Sequence, residues 1–410
     1  MNQENTLNPV LIHKLSQTED HSDETFPAVI VLKSTSILTD LSQLCKLEPC
    51  DKPRDRLPYV QMFTGDFCKK TLLCLAAHTD VQAISDDYQV RSHLDIATPS
   101  VGAITVKNDF GLTGAGVTIA VVDTGVFPHP DLTQPTNRII NFVDFVNGRT
   151  APYDDNGHGT HVTGDAAGNG RSSGGKYISP APEARIVGVK VLDRFGFGTV
   201  TQIVNGINYV IQFKNTFNIR IMNLSLGGEP TTSYLTDPIA TACRRAWIRG
   251  ILVVAAAGNT GPNGPTNTPG YDPLILTVGA IDDMNTLNRA DDVPALYTSV
   301  KPTFDGFIKA DIEVPGTDII SLLAPNSFIF QQNPQNFVSP NYFRLTGTSM
   351  ASGVATGMLA QFLQAYPPLT PDVVKVRYVE TTQFFANDTP GYAIQPRVFS
   401  LQINIANLST

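Results

Sequence analysis

Short apolar runs recur along the chain in two regions of different rhythm. In the first, 28–33 (AVIVLK), 59–63 (YVQMF) and 81–90 (VQAISDDYQV) read as strands, while 37–47 (ILTDLSQLCKL) and 69–79 (KKTLLCLAAHT) space their apolar residues as one face of a helix does. This predicts a compact β-α-β-α-β unit. The residues before it, 1–25, are mostly polar and read as a tail.

From residue 116 the rhythm lengthens. VTIAVVD (117–123), RIVGVKVL (185–192), IRIMNLSL (219–226), GILVVAAAG (250–258) and LILTVGA (274–280) are short and almost wholly apolar, with helical stretches between them. Strands buried on both faces have this look, so the pattern predicts an α/β fold with a parallel, doubly wound sheet and helices on both faces. One connecting helix is well marked, because Asp237 can cap it, Pro238 suits its first position and Gly250 its end. Residues 326–343 lack periodicity and read as a long surface loop. Ligands of open parallel sheets bind beyond the carboxyl ends of the strands, which directs the search for chemistry to those ends.

Composition narrows the function. With 410 residues, 42% of them hydrophobic, the chain can bury a sizeable core, and its length favours two or three domains. The net charge of -8, with Lys and Arg scattered, gives no electrostatic footprint for nucleic acid. No run approaches the roughly 18 apolar residues a membrane span needs. The N-terminus, MNQENTLNPVLIHKLSQTEDHS, lacks the basic start and apolar middle of a secretory signal. A cytoplasmic location is therefore expected, although a trimmed signal would leave the same text. Cys45, Cys50, Cys68 and Cys74 fall in the N-terminal quarter and Cys243 stands alone. The expectation is small buried hydrophobes in a reducing compartment, with local disulfides or a metal as the alternatives.

Four positions carry candidate chemistry. Asp123 ends a strand and Gly125 allows a sharp exit from it; alone, such an Asp is more often a cap or turn former. His158 sits in DDNGHGTHVTG, where small neighbours leave one face of the imidazole open for proton transfer. Metal binding by His158 and His161 with Asp154 and Asp155 competes, but the spacing lacks the H-E-x-x-H pattern, so His161 is expected to be structural. Ser349 lies in GTSMAS at an apparent helix start, with little side-chain bulk to keep a carbonyl away and a helix dipole favouring the charge that develops. By itself it reads as an ordinary N-cap. Asn259 closes VVAAAGN and could donate its amide to an oxyanion, or simply form a turn. Together they give the order Asp, His, Ser at loop edges of one parallel sheet, which differs from the order in chymotrypsin or in the α/β-hydrolases.

With AVVDTGV around Asp123, NGHGTHVTG around His158, AAAGN ending at Asn259 and GTSMAS around Ser349, the chain resembles the subtilases, the subtilisin-like serine proteases, over about residues 98–400. It is most similar to their AprX-type intracellular branch. The resemblance implies a serine endopeptidase with Ser349 as nucleophile, His158 as proton shuttle, Asp123 as its orienting acid and Asn259 in the oxyanion hole. It also implies a peptide strand bound between Gly196-Phe197-Gly198 and Ser225-Leu226-Gly227, with Ala256 and Gly258 lining the pocket for the side chain before the scissile bond. Residues 26–92 are similar to the family's inhibitory propeptide, a ferredoxin-like α+β domain, which makes 93–410 the catalytic domain. The processing point would lie near Ser92, with YQVRSHLDIA as the first substrate. A permanently attached accessory domain is the alternative for that region, and a catalytically silent relative that binds peptides is the alternative for the whole chain.

The expected partners are polypeptide substrates and the chain's own propeptide, acting on a monomer, with no nucleic acid and no membrane. No cofactor is required; calcium is an option, but 168–179 (GNGRSSGGKYIS) offers no clear ligand set and Asp131 matches only one ligand. SMAS is followed by Gly353-Val354 where the family usually has Pro-His, which predicts a looser or differently packed turn.

Overall fold

In a computed structural model the described residues are 7, 9–19, 22–33, 40–57, 62–86, 94–380, 382–383 and 400–401. The chain divides into two compact units, 1–91 and 92–410. The processing point expected near Ser92 lies outside the described residues, and the last part of the proposed first substrate, 94–97, opens helix α3 below.

The N-terminal unit consists of α1 (Pro9–Ser16), β1 (Thr25–Leu32), β2 (Lys52–Leu57), β3 (Met62–Cys68), α2 (Lys69–Ala76) and β4 (Val81–Asp86). The strands form an antiparallel sheet in the order β2-β3-β1-β4. Three expectations need correcting. The supposed polar tail contains α1, which buries Leu11 and Leu15 in the same cluster as Phe26, Ile30, Phe67, Leu72 and Leu75. The leucines are four apart, a helical spacing outweighed in the sequence by their polar neighbours. The helix expected at 37–47 is, in its described part, one short turn at Leu41–Gln43, capped by Asp40. Strand β2, KPRDRL, went unrecognised because it is an edge strand, where charges and a proline are tolerated. A disulfide also joins Cys45 and Cys74, so these two are not the free thiols expected; Cys50, Cys68 and Cys243 remain free.

The larger unit contains α3 (Leu94–Ser100), α4 (Ala103–Phe110), β5 (Thr118–Asp123), α5 (Pro130–Thr133), β6 (Ile139–Asp144), α6 (His158–Ala167), β7 (Arg185–Lys190), α7 (Val200–Phe217), β8 (Ile219–Leu224), α8 (Pro238–Ile248), β9 (Leu252–Ala256) and β10 (Leu276–Asp282). It continues with β11 (Val293–Pro294), β12 (Ile312–Pro315), β13 (Ile319–Leu322), α9 (Phe328–Gln332), β14 (Phe337–Ser339), β15 (Tyr342–Leu345), α10 (Thr348–Ala365) and α11 (Pro371–Glu380). Its main sheet runs β11-β10-β9-β8-β5-β7-β6, with β12 also beside β10. All pairings but β10 with β11 are parallel. The fold is thus the predicted α/β sheet with helices on both sides, α6 packing on α10 and α7 on α8.

Every residue of β5 and β9 is buried, which accounts for their unbroken apolar runs. Helix α8 begins as read, with the Asp237 side chain accepting from the Ala240 N–H at 2.8 Å. The stretch 326–343 is not a featureless loop: it carries α9, β14 and the start of β15, elements too short to show a period. No helix among the described residues is long and apolar enough to cross a membrane.

Candidate active site

Strand β5 delivers Asp123 at its carboxyl end, with the side chain fully buried. Its Oδ1 accepts from the Thr124 N–H at 2.7 Å and lies 2.7 Å from Nδ1 of His158, the first residue of α6. Oδ2 has no hydrogen-bond partner among the described residues. The close approach depends on Gly159: a Cβ there would sit 2.3 Å from the Gly125 carbonyl oxygen and 3.1 Å from the Asp123 Cβ. The turn before α6 is tied by Asp154, whose carboxylate accepts from the backbone of Asn156, Gly157 and Thr160 and from the hydroxyls of Thr124 and Thr160.

A carboxylate facing Nδ1 keeps the ring proton there and leaves Nε2 as the acceptor. Burial pulls the His158 pKa down, but the charge and hydrogen bond of Asp123, helped by Asp154 and Asp165, outweigh it and the net shift is upward. The side chain keeps 24% of its surface exposed, enough to meet a substrate.

Ser349 occupies the first turn of α10. Its hydroxyl donates to the Ser225 carbonyl at 3.1 Å, and among the described residues no hydrogen bond joins it to His158. The Ser349 carbonyl accepts from the hydroxyls of Ser225 and Ser352 at 3.1 and 2.9 Å, which anchors this turn to the end of β8. The turn expected to be looser at Gly353 is instead an uninterrupted helix pressed against α6. A Cβ at Gly353 would come within 2.7 Å of the Asp165 Cβ and 3.0 Å of the Val162 carbonyl oxygen, so the missing side chain permits tight helix contact.

Asn259 follows β9. Its Oδ1 accepts from both the N–H and the hydroxyl of Thr348, at 2.9 and 3.0 Å, and the Thr348 hydroxyl also receives the Gly258 N–H at 3.1 Å. This fixes the amide so that Nδ2, the donor end, is left for the cleft.

His158, Ser349 and Asn259 line one cleft of about 530 Å³, together with Gly196, Phe197, Gly198, Ser225, Leu226, Gly227, Ala256 and Gly258. Asp123 lies behind His158, out of the cleft. Phe197 stands at the rim with 75% of its surface exposed. The sequence reading missed Leu192, Ile203, Ile239 and Ile329 on the apolar walls, and the polar Asn156, Asn267, Thr268 and Thr348. Ile329 arrives from the supposed surface loop, where the N–H groups of Phe328 and Ile329 donate to the carbonyls of Asp155 and Asn156.

It also missed Lys190, the buried charge in RIVGVKVL, whose other charge, Arg185, is exposed at the start of the strand. This buried ammonium donates to the carbonyls of Thr124 and Leu192 and to Asp155, tying the end of β5, the loop before His158 and the cleft wall together.

Two rejected candidates have structural duties. His161 is fully buried, with hydrogen bonds to Asp165 and to the carbonyls of Ile319 and Phe343, and does not line the cleft. Asp131 is buried too, accepting from the Ser172 N–H at 2.8 Å and the Tyr342 hydroxyl at 2.5 Å.

Residues 114–399 match the Subtilase family. The chain is 39% identical over 395 residues to the serine protease AprX of Bacillus subtilis (strain 168), covering 93% of this chain and 88% of that protein. With subtilisin DY of Bacillus licheniformis it shares 34% over 275 residues, which is 66% of this chain and 85% of that one. Among solved structures, a cold-adapted subtilisin-like serine proteinase superposes with a TM-score of 0.55 at 28% identity, over 71% of this chain and 91% of its own. The S41 psychrophilic protease gives 0.57 at 27%, over 73% and 97%.

Proposed function

Since the chain belongs to the subtilase family and is a subtilisin-like serine protease acting on polypeptides, we propose that it is an endopeptidase working through Asp123, His158 and Ser349. The reading rests above all on the 2.7 Å approach of His158 Nδ1 to the buried Asp123 carboxylate, beside a cleft that Ser349 and Asn259 also line.

Ser349 Oγ attacks the scissile carbonyl carbon while His158 Nε2 takes its proton. The carbonyl π pair moves to oxygen, where the Asn259 amide and the Ser349 N–H receive it. Collapse breaks the C–N bond, His158 passes the proton to the leaving amine, and an acyl-enzyme remains. Water, giving its proton to the same imidazole, then attacks the acyl carbon; the ester bond to Ser349 Oγ breaks, His158 returns the proton to Oγ, and the acid product leaves. Asp123 holds the ring in the tautomer this requires and stabilises the imidazolium that forms. These steps use the chain's own side chains, one backbone N–H and water, and call for no cofactor.

The substrate strand pairs with the backbone of Gly196-Phe197-Gly198 and Ser225-Leu226-Gly227, and Ala256 and Gly258 border the side chain before the cut. Main-chain pairing gives affinity without demanding a sequence, so broad specificity follows. Residues 26–92 act as an intramolecular inhibitor removed by self-cleavage near Ser92, and the mature enzyme is a monomer.

A fluorophosphonate probe tests the reading directly. The purified protein, freed of the first unit, is expected to be labelled at Ser349, and an unlabelled Ser349 would overturn the enzyme assignment in favour of a silent peptide-binding relative. For processing, Ser349→Ala is expected to persist near the full 44.3 kDa while wild type splits. Equal splitting would mean that another protease makes the cut.

A further inference from the structure

The N-terminal unit holds a second pair of cysteines beside its disulfide. Cys50 stands just before β2 and Cys68 ends β3. The register of these antiparallel strands pairs Lys52 with Asp66 and Pro53 with Gly65, so continuing it sets 50 opposite 68. Both thiols are free, and their Sγ atoms lie within 4.8 Å of each other. Cys68 is buried and Cys50 is partly exposed. Directly opposed residues of an antiparallel pair bring their Cβ atoms to about 4.5–5.5 Å, close to the separation a disulfide spans.

Asp51 completes a three-residue group that could hold a metal. Its oxygens are already engaged: Oδ1 accepts from the Cys68 N–H at 2.8 Å, and Oδ2 from the Glu48 N–H at 2.7 Å and the Thr71 hydroxyl at 2.6 Å. A structural zinc site takes four ligands, and this carboxylate is occupied in holding the strand ends together. The same bonds brace the backbone on which Cys50 and Cys68 face each other.

We propose that Cys50 and Cys68 are a redox-active dithiol that closes to a second disulfide by exchange with a small-molecule disulfide such as glutathione disulfide. The partly exposed Cys50 thiolate attacks one sulfur of the oxidant, forming a mixed disulfide and expelling one thiol. Cys68 then attacks the Cys50 sulfur and expels the second, so the pair loses two electrons and two protons and the small disulfide gains them. A hydrogen bond to Cys68, then burial, raise the Cys50 pKa to about 11, so the exchange is slow near neutrality and quickens with alkali. The new bond closes a loop nested inside the one closed by Cys45 and Cys74, and so restricts the unfolded state of this unit further.

The test uses the full-length Ser349→Ala chain, which on the reading above cannot cut itself. It is treated with glutathione disulfide at mildly alkaline pH, unfolded, alkylated and digested without reduction. Mass analysis is expected to find Cys50 linked to Cys68, with Cys45–Cys74 intact and Cys243 alone alkylated. The urea midpoint of the N-terminal unit is expected to rise, and to stay put in Cys68→Ala. A stable glutathione adduct on Cys50, two unreacted thiols, or Cys50 linked to Cys45 or Cys74 would overturn the proposal. So would stoichiometric zinc binding that blocks the oxidation. The linkage readout does not depend on whether this unit inhibits the protease.

Discussion

The Ser349 hydroxyl donates to the Ser225 carbonyl rather than to His158. On the proposed binding mode a substrate strand would pair along the edge that carries this carbonyl, so an arriving peptide N–H would compete for it and free the hydroxyl to turn toward the imidazole. Binding and arming the nucleophile would then be one event. Ser349→Ala is accordingly expected to lower kcat by about 10⁶, the scale found in subtilisin itself, with little change in the Kd of a peptide inhibitor. Active-site titration beside a fluorescence binding assay checks both, and comparable residual turnover would remove Ser349 from the chemistry.

Asn259 and Thr348 form a donor and its holder. Replacing the amide in Asn259→Ala is expected to reduce kcat about 10²–10³-fold, again the range known from subtilisin, with KM nearly unchanged. Thr348→Val deletes one of the two bonds to Oδ1 and leaves the backbone one. A smaller loss, also confined to kcat, is expected. A drop that appears in KM instead would mean that Asn259 binds the ground state.

On the proposed mechanism the deprotonated imidazole is the base, so kcat/KM is expected to fall as pH drops through the His158 pKa. With that pKa raised above 6.5, the acid limb lies above the ordinary histidine value. Asp123→Asn removes the charge that raises it, so the limb moves to lower pH while kcat falls by about 10⁴. A pH profile of both proteins decides this; a limb that stays in place would mean another group titrates.

Lys190 predicts a coupled loss of stability and activity. Lys190→Met leaves two buried carbonyls and Asp155 without their shared donor, a cost on the order of 3–5 kcal/mol. Thermal unfolding should show it, and kcat should fall because the Asp123 strand end and the His158 loop are no longer tied. Unchanged melting would make Lys190 a bystander.

The parts legible in the sequence are those where local chemistry and tertiary role agree. Apolar runs such as VTIAVVD declared buried parallel strands, and crowded small residues around His158 and Ser349 marked places where backbone must come close. Lys190 was not legible, because a charge in a buried strand is justified only by acceptors outside that strand, the carbonyls of Thr124 and Leu192 and the Asp155 carboxylate. Neither was α1, whose helix needs the sheet of its own unit to cover Leu11 and Leu15. Ile329 comes from a stretch whose elements are too short to repeat a period, so nothing local told it apart from a loop. The cysteines gave no pairing, since contact between 45 and 74 is set by the fold of the whole unit.

Glu313 breaks the rule that buried carboxylates are partnered. It sits on β12 opposite Gly279, where a Cβ would come 2.9 Å from the Glu313 Cγ, so the glycine makes room for the acid. Both its oxygens are buried without a hydrogen-bond partner among the described residues, and burial alone raises its pKa to about 8. Unfolded, the group ionises near 4.5. Between these two values the folded chain holds a proton that the unfolded chain has lost, so the stability it contributes is complete below about 4.5 and is lost as pH rises to about 8. Glu313→Gln removes that dependence. Its stability relative to wild type is expected to climb across this window and then level off, with a gain on the order of a few kcal/mol on the alkaline side. Urea unfolding of the Ser349→Ala background at a series of pH values measures it. Parallel curves for the two proteins would mean that Glu313 ionises normally, through water reaching its oxygens.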